Sequence, residues 1–294
     1  RAEIEATFSP ELEALAVKSN ATCRQVMDRL TRQYDGYRFT KDEEFTSMYN
    51  PFSVLSALQK RSYGNYWFAS GTPTFLVEML QKTDFDLREM EGIEVNEASL
   101  SDDRADINNP IPMIYQSGYL TIKDYDERFR MYTLGFPNEE VKYGFLNFVS
   151  PFYTPIAQTD TSFYIGKFIR ELESGDVDAF LTRLRCFFAG IPYDLNDRTE
   201  RHYQTVFYLV FQLMGQFTET EVRSARGRAD AVVKTPDYIY VFEFKLNDSA
   251  EAALRQIDEK GYLLPYQADG RKVVKVGVAF EKEERNIGEW VIGE

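Results

Sequence analysis

The sequence predicts a two-domain protein that mixes helices and strands (α+β / α/β). A helical, winged-helix-like first part is followed by a small mixed β-sheet flanked by helices. At 294 residues the chain is long enough for two hydrophobic cores. Helical patterns dominate its first half, whereas apolar, β-branched segments alternate with helical ones after residue 195. We therefore expect domains at residues 1–155 and 196–294, joined by a helical linker at 156–195.

Composition narrows the class of protein. No apolar run approaches about 18 residues, so we expect no membrane span, and no signal peptide is visible. Cys23 and Cys186 form no metal-binding pair, which favours a reduced, cytoplasmic setting. The single histidine, His202, excludes a histidine-rich metal site. Because the chain begins with Arg1, we expect it to be a piece of a longer protein.

The first part opens with helices. The sequence predicts one over residues 9–34, a second from Asn50-Pro51 to near Ser62, and a third capped by Ser70 or Thr72. Between the first two lies an aromatic-rich turn that begins at Tyr34-Asp35-Gly36-Tyr37.

From residue 112 the pattern changes. Residues 112–117 end a helix, and 118–124 and 128–134 are predicted strands around a charged turn. Helices follow from Asn138 past Phe148, over 160–173 and over 176–189. Helices followed by a two-stranded wing predict a winged-helix-like unit.

The last hundred residues carry the pattern helix, strand, strand, strand, helix, strand. The predicted elements are 206–215, 217–224, 227–233, 238–245, 254–262 and 273–280.

Three charged residues lie within these apolar strands. Glu243 and Lys245 share one face of their strand with Val241, because side chains alternate along a strand. Asp230 lies on the preceding strand. Charges on a buried strand must pair or bind a metal ion. The pattern therefore allows either a catalytic site or a structural Glu243–Lys245 ion pair.

The spacing Asp230…Glu243-Phe244-Lys245 resembles the site of the PD-(D/E)XK nucleases, and the order of elements resembles their restriction-endonuclease-like core. The flanking residues resemble one branch, the nuclease domain that follows an AAA-ATPase-like domain in many Bacteroidetes proteins. They are Phe207-Tyr208, Leu213-Met214-Gly215, Gly227-Arg228-Ala229-Asp230, Gln256-Ile257 and Gly277-Val278-Ala279-Phe280.

This resemblance implies a Mg²⁺- or Mn²⁺-dependent nuclease that hydrolyses phosphodiester bonds of nucleic acid, with DNA favoured over RNA. Asp230, Glu243 and the Phe244 backbone carbonyl would hold the ion, since hard cations prefer oxygen ligands. Lys245 would orient or help deprotonate the attacking water. Two further catalytic candidates, Glu200 and Gln256, have equally plausible alternatives as helix-surface residues.

Segments of the first part resemble the later part of that same AAA-ATPase-like domain. They are Tyr34-Asp35-Gly36-Tyr37, Tyr49-Asn50-Pro51, Trp67…Ser70-Gly71-Thr72-Pro73, Gln116–Ile122 and Leu134–Asn138. The chain has no glycine-rich phosphate loop followed by lysine, so we expect this chain alone neither to bind nor to hydrolyse ATP. Core packing is the favoured explanation of the Tyr34 and Trp67 clusters, and we assign them no ligand.

Charge is distributed unevenly. The formal net charge is −13, yet residues 195–294 carry 14 basic and 17 acidic side chains, so most of the excess lies earlier. Arg223, Arg226 and Arg228 form a local basic segment before Asp230 that could contact phosphates, or could be a solvated loop. The acidic first half could contact a protein partner or a second copy. A catalytically silent module that binds nucleic acid or protein is the alternative function.

Overall fold

The computed structural model describes residues 1–42, 46–68, 76, 79–80, 85–101, 109–154, 157, 160–191, 200–222, 229–246, 248–281 and 286–293. Of residues 101, 200–203 and 222 it describes the backbone alone. The chain divides into two compact units, Arg1–Phe145 and Leu146–Glu294. Among the helices of the described ranges, none is long and apolar enough to cross a membrane.

The first unit begins with helices that pack around a shared apolar core. Helices in this part of the chain are α1 (Ala2–Thr7), α2 (Ser9–Ser19), α3 (Cys23–Tyr34), α4 (Pro51–Lys60), α5 (Glu97–Ser101) and α6 (Ile111–Gln116). Helix α7 (Glu139–Val149) spans the division between the units. Leu15, Leu30 and Ala57, from α2, α3 and α4, are fully buried in one cluster.

The predicted helical segment over residues 9–34 is helical in the structure, but it divides into two helices, α2 and α3. Asn20 ends α2 in the left-handed region at φ 50°. Thr22 then caps α3, accepting a hydrogen bond from the Gln25 backbone, while the Gln25 side chain accepts one from the Thr22 backbone. This reciprocal capping box satisfies two amides that a helix start would otherwise leave unpaired, so it favours a new helix here.

The predicted hairpin is confirmed and gains a third strand. Strands β2 (Thr121–Asp126) and β3 (Met131–Gly135) pair antiparallel. Strand β1 (Ile93–Asn96) pairs with the other edge of β3, which gives the order β1-β3-β2. Sequence patterns missed β1 because it is only four residues long and half of it is exposed. The winged-helix-like assignment stays a prediction, and the helix cap at Ser70 or Thr72 lies outside the described residues.

The second unit contains a five-stranded mixed sheet between helices. Its helices are α8 (Thr161–Glu173), α9 (Val177–Ala189), α10 (Glu200–Met214) and α11 (Ala250–Glu259). Its strands are β4 (Glu219–Val222), β5 (Ala231–Lys234), β6 (Tyr238–Lys245), β7 (Lys272–Glu281) and β8 (Asn286–Gly293), in that spatial order. Strands β6 and β7 are parallel and the other pairs are antiparallel. The predicted order of elements is confirmed, and β8 is an additional strand.

The central strand β6 packs a different layer on each face. Ile239 and Val241 lie in an apolar cluster with Ile257 of α11. Tyr240 and Phe242 point the other way: the Tyr240 hydroxyl donates to the Leu172 carbonyl at the end of α8, and Phe242 packs against aromatic rings of α9 and α10. This alternation is what a fully buried strand requires, and it confirms the predicted face of Glu243 and Lys245.

The first unit contains a buried carboxylate, Glu140, that links a turn to a helix. Glu140, in the first turn of α7, is fully buried. Its Oε1 accepts a hydrogen bond of 2.9 Å from the Trp67 amide, whereas its Oε2 has no hydrogen-bond partner among the described residues. Within the described ranges no cation pairs with it, and burial raises the pKa of Glu140. The carboxylate thus holds the turn at residues 66–67 against α7.

We expect Glu140→Ala to lower the free energy of unfolding by about 2–3 kcal/mol, because a buried amide loses its charged acceptor. Glu139→Ala is the matched control. Its carboxylate is 47% exposed and lies 4.0 Å from Arg32, so its loss should change stability by less than about 0.5 kcal/mol. Urea unfolding followed by Trp67 fluorescence in a Trp290→Phe background measures both. Equal losses in the two variants would contradict the role given to Glu140.

Candidate metal and catalytic site

Asp230 lies beside the end of β6. It directly precedes β5, whose first residue Ala231 pairs with Phe242. The Phe244 backbone amide donates a hydrogen bond of 2.8 Å to Asp230 Oδ2. The side chain therefore accepts from a β6 amide just before the start of β5, and this holds one carboxylate oxygen against the strand that carries Glu243.

Glu243 and Lys245 are joined by Gln256. The Lys245 ammonium lies 3.3 Å from Glu243 Oε1. The Gln256 amide nitrogen donates to the same Oε1, and the Gln256 carbonyl oxygen accepts from Lys245. The amide thus binds both charged groups at once and fixes their mutual position. Only 3% of Glu243 is exposed, so these contacts replace hydration.

Gln256 does not open the helix after the third strand of the domain, as predicted, because α11 starts six residues earlier. The helix begins at Ala250 after the cap residue Ser249, whose hydroxyl accepts from the Ala252 amide. The predicted start at residue 254 was wrong because a run of alanines carries little apolar periodicity. Gln256 therefore lies in the second turn of the helix and faces the sheet rather than opening the helix.

Burial and like charge shift both carboxyl groups. Burial, together with the charge of Asp230, raises the pKa of Glu243 to about 7, although Lys245 opposes this shift. Burial also raises the pKa of Asp230, opposed by the Phe244 amide and the Lys245 charge. Once both groups are ionised, two carboxylates share one ammonium and the site is net negative, which is where a further cation would be stabilised.

The donor set suits a hard divalent ion. Glu243 Oε2 is buried and, within the described ranges, has no hydrogen-bond partner. Because buried polar atoms are normally paired, this free oxygen is a candidate ligand for a metal ion. In the described part of the chain, no three His, Cys, Asp or Glu side chains are grouped so that together they could hold a metal ion. Asp230, Glu243 and a backbone carbonyl would therefore leave several positions to water, as Mg²⁺ prefers.

The side chains of four predicted site residues lie outside the described part of the structure. Glu200 is the first residue of α10, but its side chain lies outside the described part. Arg223, Arg226 and Arg228 also lie outside the described residues. Their roles stay predictions.

Sequence reasoning missed the structural importance of Gly277. The parallel register of β6 and β7 pairs it with Glu243, and helix α11 lies directly over it. The signal was available, since a glycine inside an apolar strand marks a close backbone approach.

Comparison with known proteins agrees with this geometry. Residues 198–290 match the family model of the PD-(D/E)XK nuclease superfamily, so the chain contains a domain of that superfamily with a restriction-endonuclease-like core. The chain is similar to an uncharacterized protein in the vnfD 5′ region of Azotobacter chroococcum mcd 1, at 31% identity over 299 residues. The alignment covers 99% of this chain and 55% of that protein, so the chain spans about half the length of this relative. No solved structure matches the chain.

The raised pKa of Glu243 predicts a pH dependence of stability. The folded protein holds the Glu243 proton up to about pH 7, whereas an unfolded glutamate releases it near its ordinary pKa of 4.5. The stability that protonated Glu243 contributes is therefore fully present below pH 4.5, the pKa in the unfolded chain, and is lost as the pH rises through 7. Between pH 5 and 8 the wild type should lose about 2 kcal/mol more than Glu243→Gln, in the absence of divalent ions.

Urea titrations of both proteins at a series of pH values test this expectation. The matched control is Glu281→Gln, which removes an exposed carboxylate from β7. Its stability should follow that of the wild type across the range. Parallel curves for the wild type and Glu243→Gln would show that Glu243 is ionised in the folded protein at neutral pH.

Proposed function

We propose that the PD-(D/E)XK domain is a Mg²⁺- or Mn²⁺-dependent nuclease that hydrolyses phosphodiester bonds of nucleic acid, with DNA as the favoured substrate. One observation carries the proposal. Asp230, Glu243 and Lys245 meet where β5 starts and β6 ends, and a buried Glu243 oxygen there has no hydrogen-bond partner in the described part of the chain. A purely structural Glu243–Lys245 ion pair would not need the second carboxylate, Asp230.

The residues divide the work by their chemistry. Asp230, Glu243 and the Phe244 carbonyl would hold the ion, which when bound supplies a more acidic water and neutralises charge on the phosphate. Lys245 would place its ammonium beside the attacking water and the phosphate oxygens. Gln256 would act as a positioning residue, since it contacts Lys245 and Glu243. Glu200 remains a candidate acid from the first helix of the domain.

The wider protein is also part of the proposal. We propose that residues 1–155 derive from the later part of an AAA-ATPase-like domain and that this chain alone does not bind ATP. The similarity to a longer relative supports a longer whole protein. The acidic first part would contact a protein partner or a second copy, while Arg223, Arg226 and Arg228 would contact phosphates.

A catalytically silent binding module is the second candidate. The specific observation in its favour is the close Lys245–Glu243 pair, which compensates the buried carboxylate without any ion. Removing one partner of a buried pair is strongly destabilising. A silent module would therefore lose stability in Lys245→Ala and would have no cleavage to lose.

Nuclease assays with Mg²⁺ or Mn²⁺ on labelled DNA separate the two functions. We expect Asp230→Asn, Glu243→Gln and Lys245→Ala each to slow cleavage by about a hundredfold or more, because each removes an ion ligand or the charge beside the reacting water. Mn²⁺ calorimetry should show weak binding to the wild type and a further loss in the Asp230→Asn/Glu243→Gln double variant.

Lys260→Ala is the matched control. Lys260 is an exposed lysine at the C-terminal cap of α11, so its loss removes the same charge. This variant should retain cleavage and Mn²⁺ binding. Cleavage that survives in folded Lys245→Ala, or Mn²⁺ binding that is equal in wild type and the double carboxylate variant, would refute the proposed mechanism.

The arginine segment makes a separate prediction about binding. Each lost phosphate contact should reduce the slope of log affinity against log salt by about 0.9 on duplex DNA. The Arg223/Arg226/Arg228→Ala triple variant should therefore bind more weakly and with a shallower slope. A control triple at three exposed positions of the first unit, Arg24, Arg61 and Arg128, changes the net charge equally. Equal slopes for the two triple variants would show that the segment makes no specific phosphate contact.

A further inference from the structure

Gly277 marks the closest approach between helix α11 and the sheet. A methyl group at this position would collide with the Ala250 carbonyl, lie 2.8 Å from the Leu254 amide nitrogen and lie 3.2 Å from Ala253 Cβ. Ala250 and Ala253 are themselves fully buried. The helix backbone therefore rests directly on β7, with only alanine side chains and a glycine between the two elements.

This contact lies beside Glu243. The β6–β7 register pairs Gly277 with Glu243, so both lie at the same height in the sheet. Gln256 follows Ala253 by one turn of the helix. Its amide reaches Glu243 Oε1 and Lys245 together. A glutamine has only two methylene groups, so the height of the helix above the sheet decides whether both contacts form.

We infer that Gly277 is a positioning residue. The absence of its side chain sets the distance between α11 and the sheet at which Gln256 binds Glu243 and Lys245 at the same time. The inference rests on the proposed function only where it gives the Gln256 contacts a role in catalysis. The position of Gln256 can be tested without that function. A methyl at Gly277 meets backbone atoms, which cannot rotate away, so the helix itself must move.

Gly293 provides a matched control on the same sheet and helix. A methyl there would lie 3.1 Å from Lys275 Cε and 3.4 Å from Leu254 Cδ2. Both atoms are the far ends of flexible side chains, and they can give way without moving α11. Gly277→Ala and Gly293→Ala therefore make the same chemical change with different consequences for the helix.

The first test observes the Gln256 side-chain amide by NMR in glutamine-labelled protein, with the signal assigned by its loss in Gln256→Ala. In Gly277→Ala the amide protons should shift to the values of a solvent-exposed glutamine, and in Gly293→Ala they should stay at the wild-type values. An unshifted Gln256 signal in folded Gly277→Ala would overturn the inference. If Gly277→Ala does not fold, Ala253→Val enlarges the same contact from the helix side and must produce the same shift.

The second test is a cycle of Mn²⁺ dissociation constants. Groups that orient metal ligands typically contribute 10–100-fold to affinity, so Gln256→Ala should weaken binding by about tenfold and Gly277→Ala by a similar factor. If Gly277 acts through Gln256, the double variant should bind no more than about twofold more weakly than the weaker single variant. Losses that multiply would overturn the inference. Absence of Mn²⁺ binding in the wild type would refute the proposed function, while the NMR result would still decide the role of Gly277.

Discussion

The burial of one carboxylate, Glu243, constrains most of the second unit. Its strand is central in the sheet, with β5 on one side and β7 on the other, so water cannot solvate the charge from either edge. Removing an ionised carboxylate from water is unfavourable unless charge and hydrogen bonds replace hydration. Lys245 supplies the charge and Gln256 supplies the hydrogen bond, and each requires a particular element to lie nearby. Helix α11 must be close to the sheet for this reason.

The opposite face of β6 explains how the strand stays in place. Phe242 and Phe244 pack against Phe211 of α10, with ring centroids 5.3 and 6.2 Å apart. The Tyr240 hydroxyl ties the start of the strand to α8. An apolar face of large rings fixes the strand because interiors are close-packed and cannot deform continuously. Because the apolar face fixes the strand, Glu243 and Lys245 on the opposite face stay close to each other although their charges are only partly compensated.

The two buried glutamates are compensated in different ways. Glu140 receives backbone amide hydrogen bonds at a helix start, an arrangement that holds a turn against a helix. Glu243 lies beside a second carboxylate and a lysine, whereas no cation pairs with Glu140 within the described ranges. Each glutamate has one buried oxygen without a hydrogen-bond partner there. The Tyr34 hydroxyl, like the Glu140 carboxylate, is buried and bonded to the backbone. It donates to the Gly64 carbonyl and accepts from the Gly64 amide. The packing explanation of the Tyr34 cluster therefore gains support. The neighbouring Asp230 and Lys245, not the unpaired oxygen, distinguish Glu243 from Glu140.

The sequence by itself determined the alternation of β6, the face shared by Glu243 and Lys245, and the order of the elements around them. Those features depend on local periodicity, which a strand displays directly in its residues. The tertiary structure decided that Asp230 bonds the Phe244 amide, that Gln256 bridges Glu243 and Lys245, and that Gly277 lies beneath α11. These contacts join residues up to 27 apart in the sequence. The contacts of Gln256 and Gly277 depend on how closely a helix packs on a sheet, which no local pattern encodes.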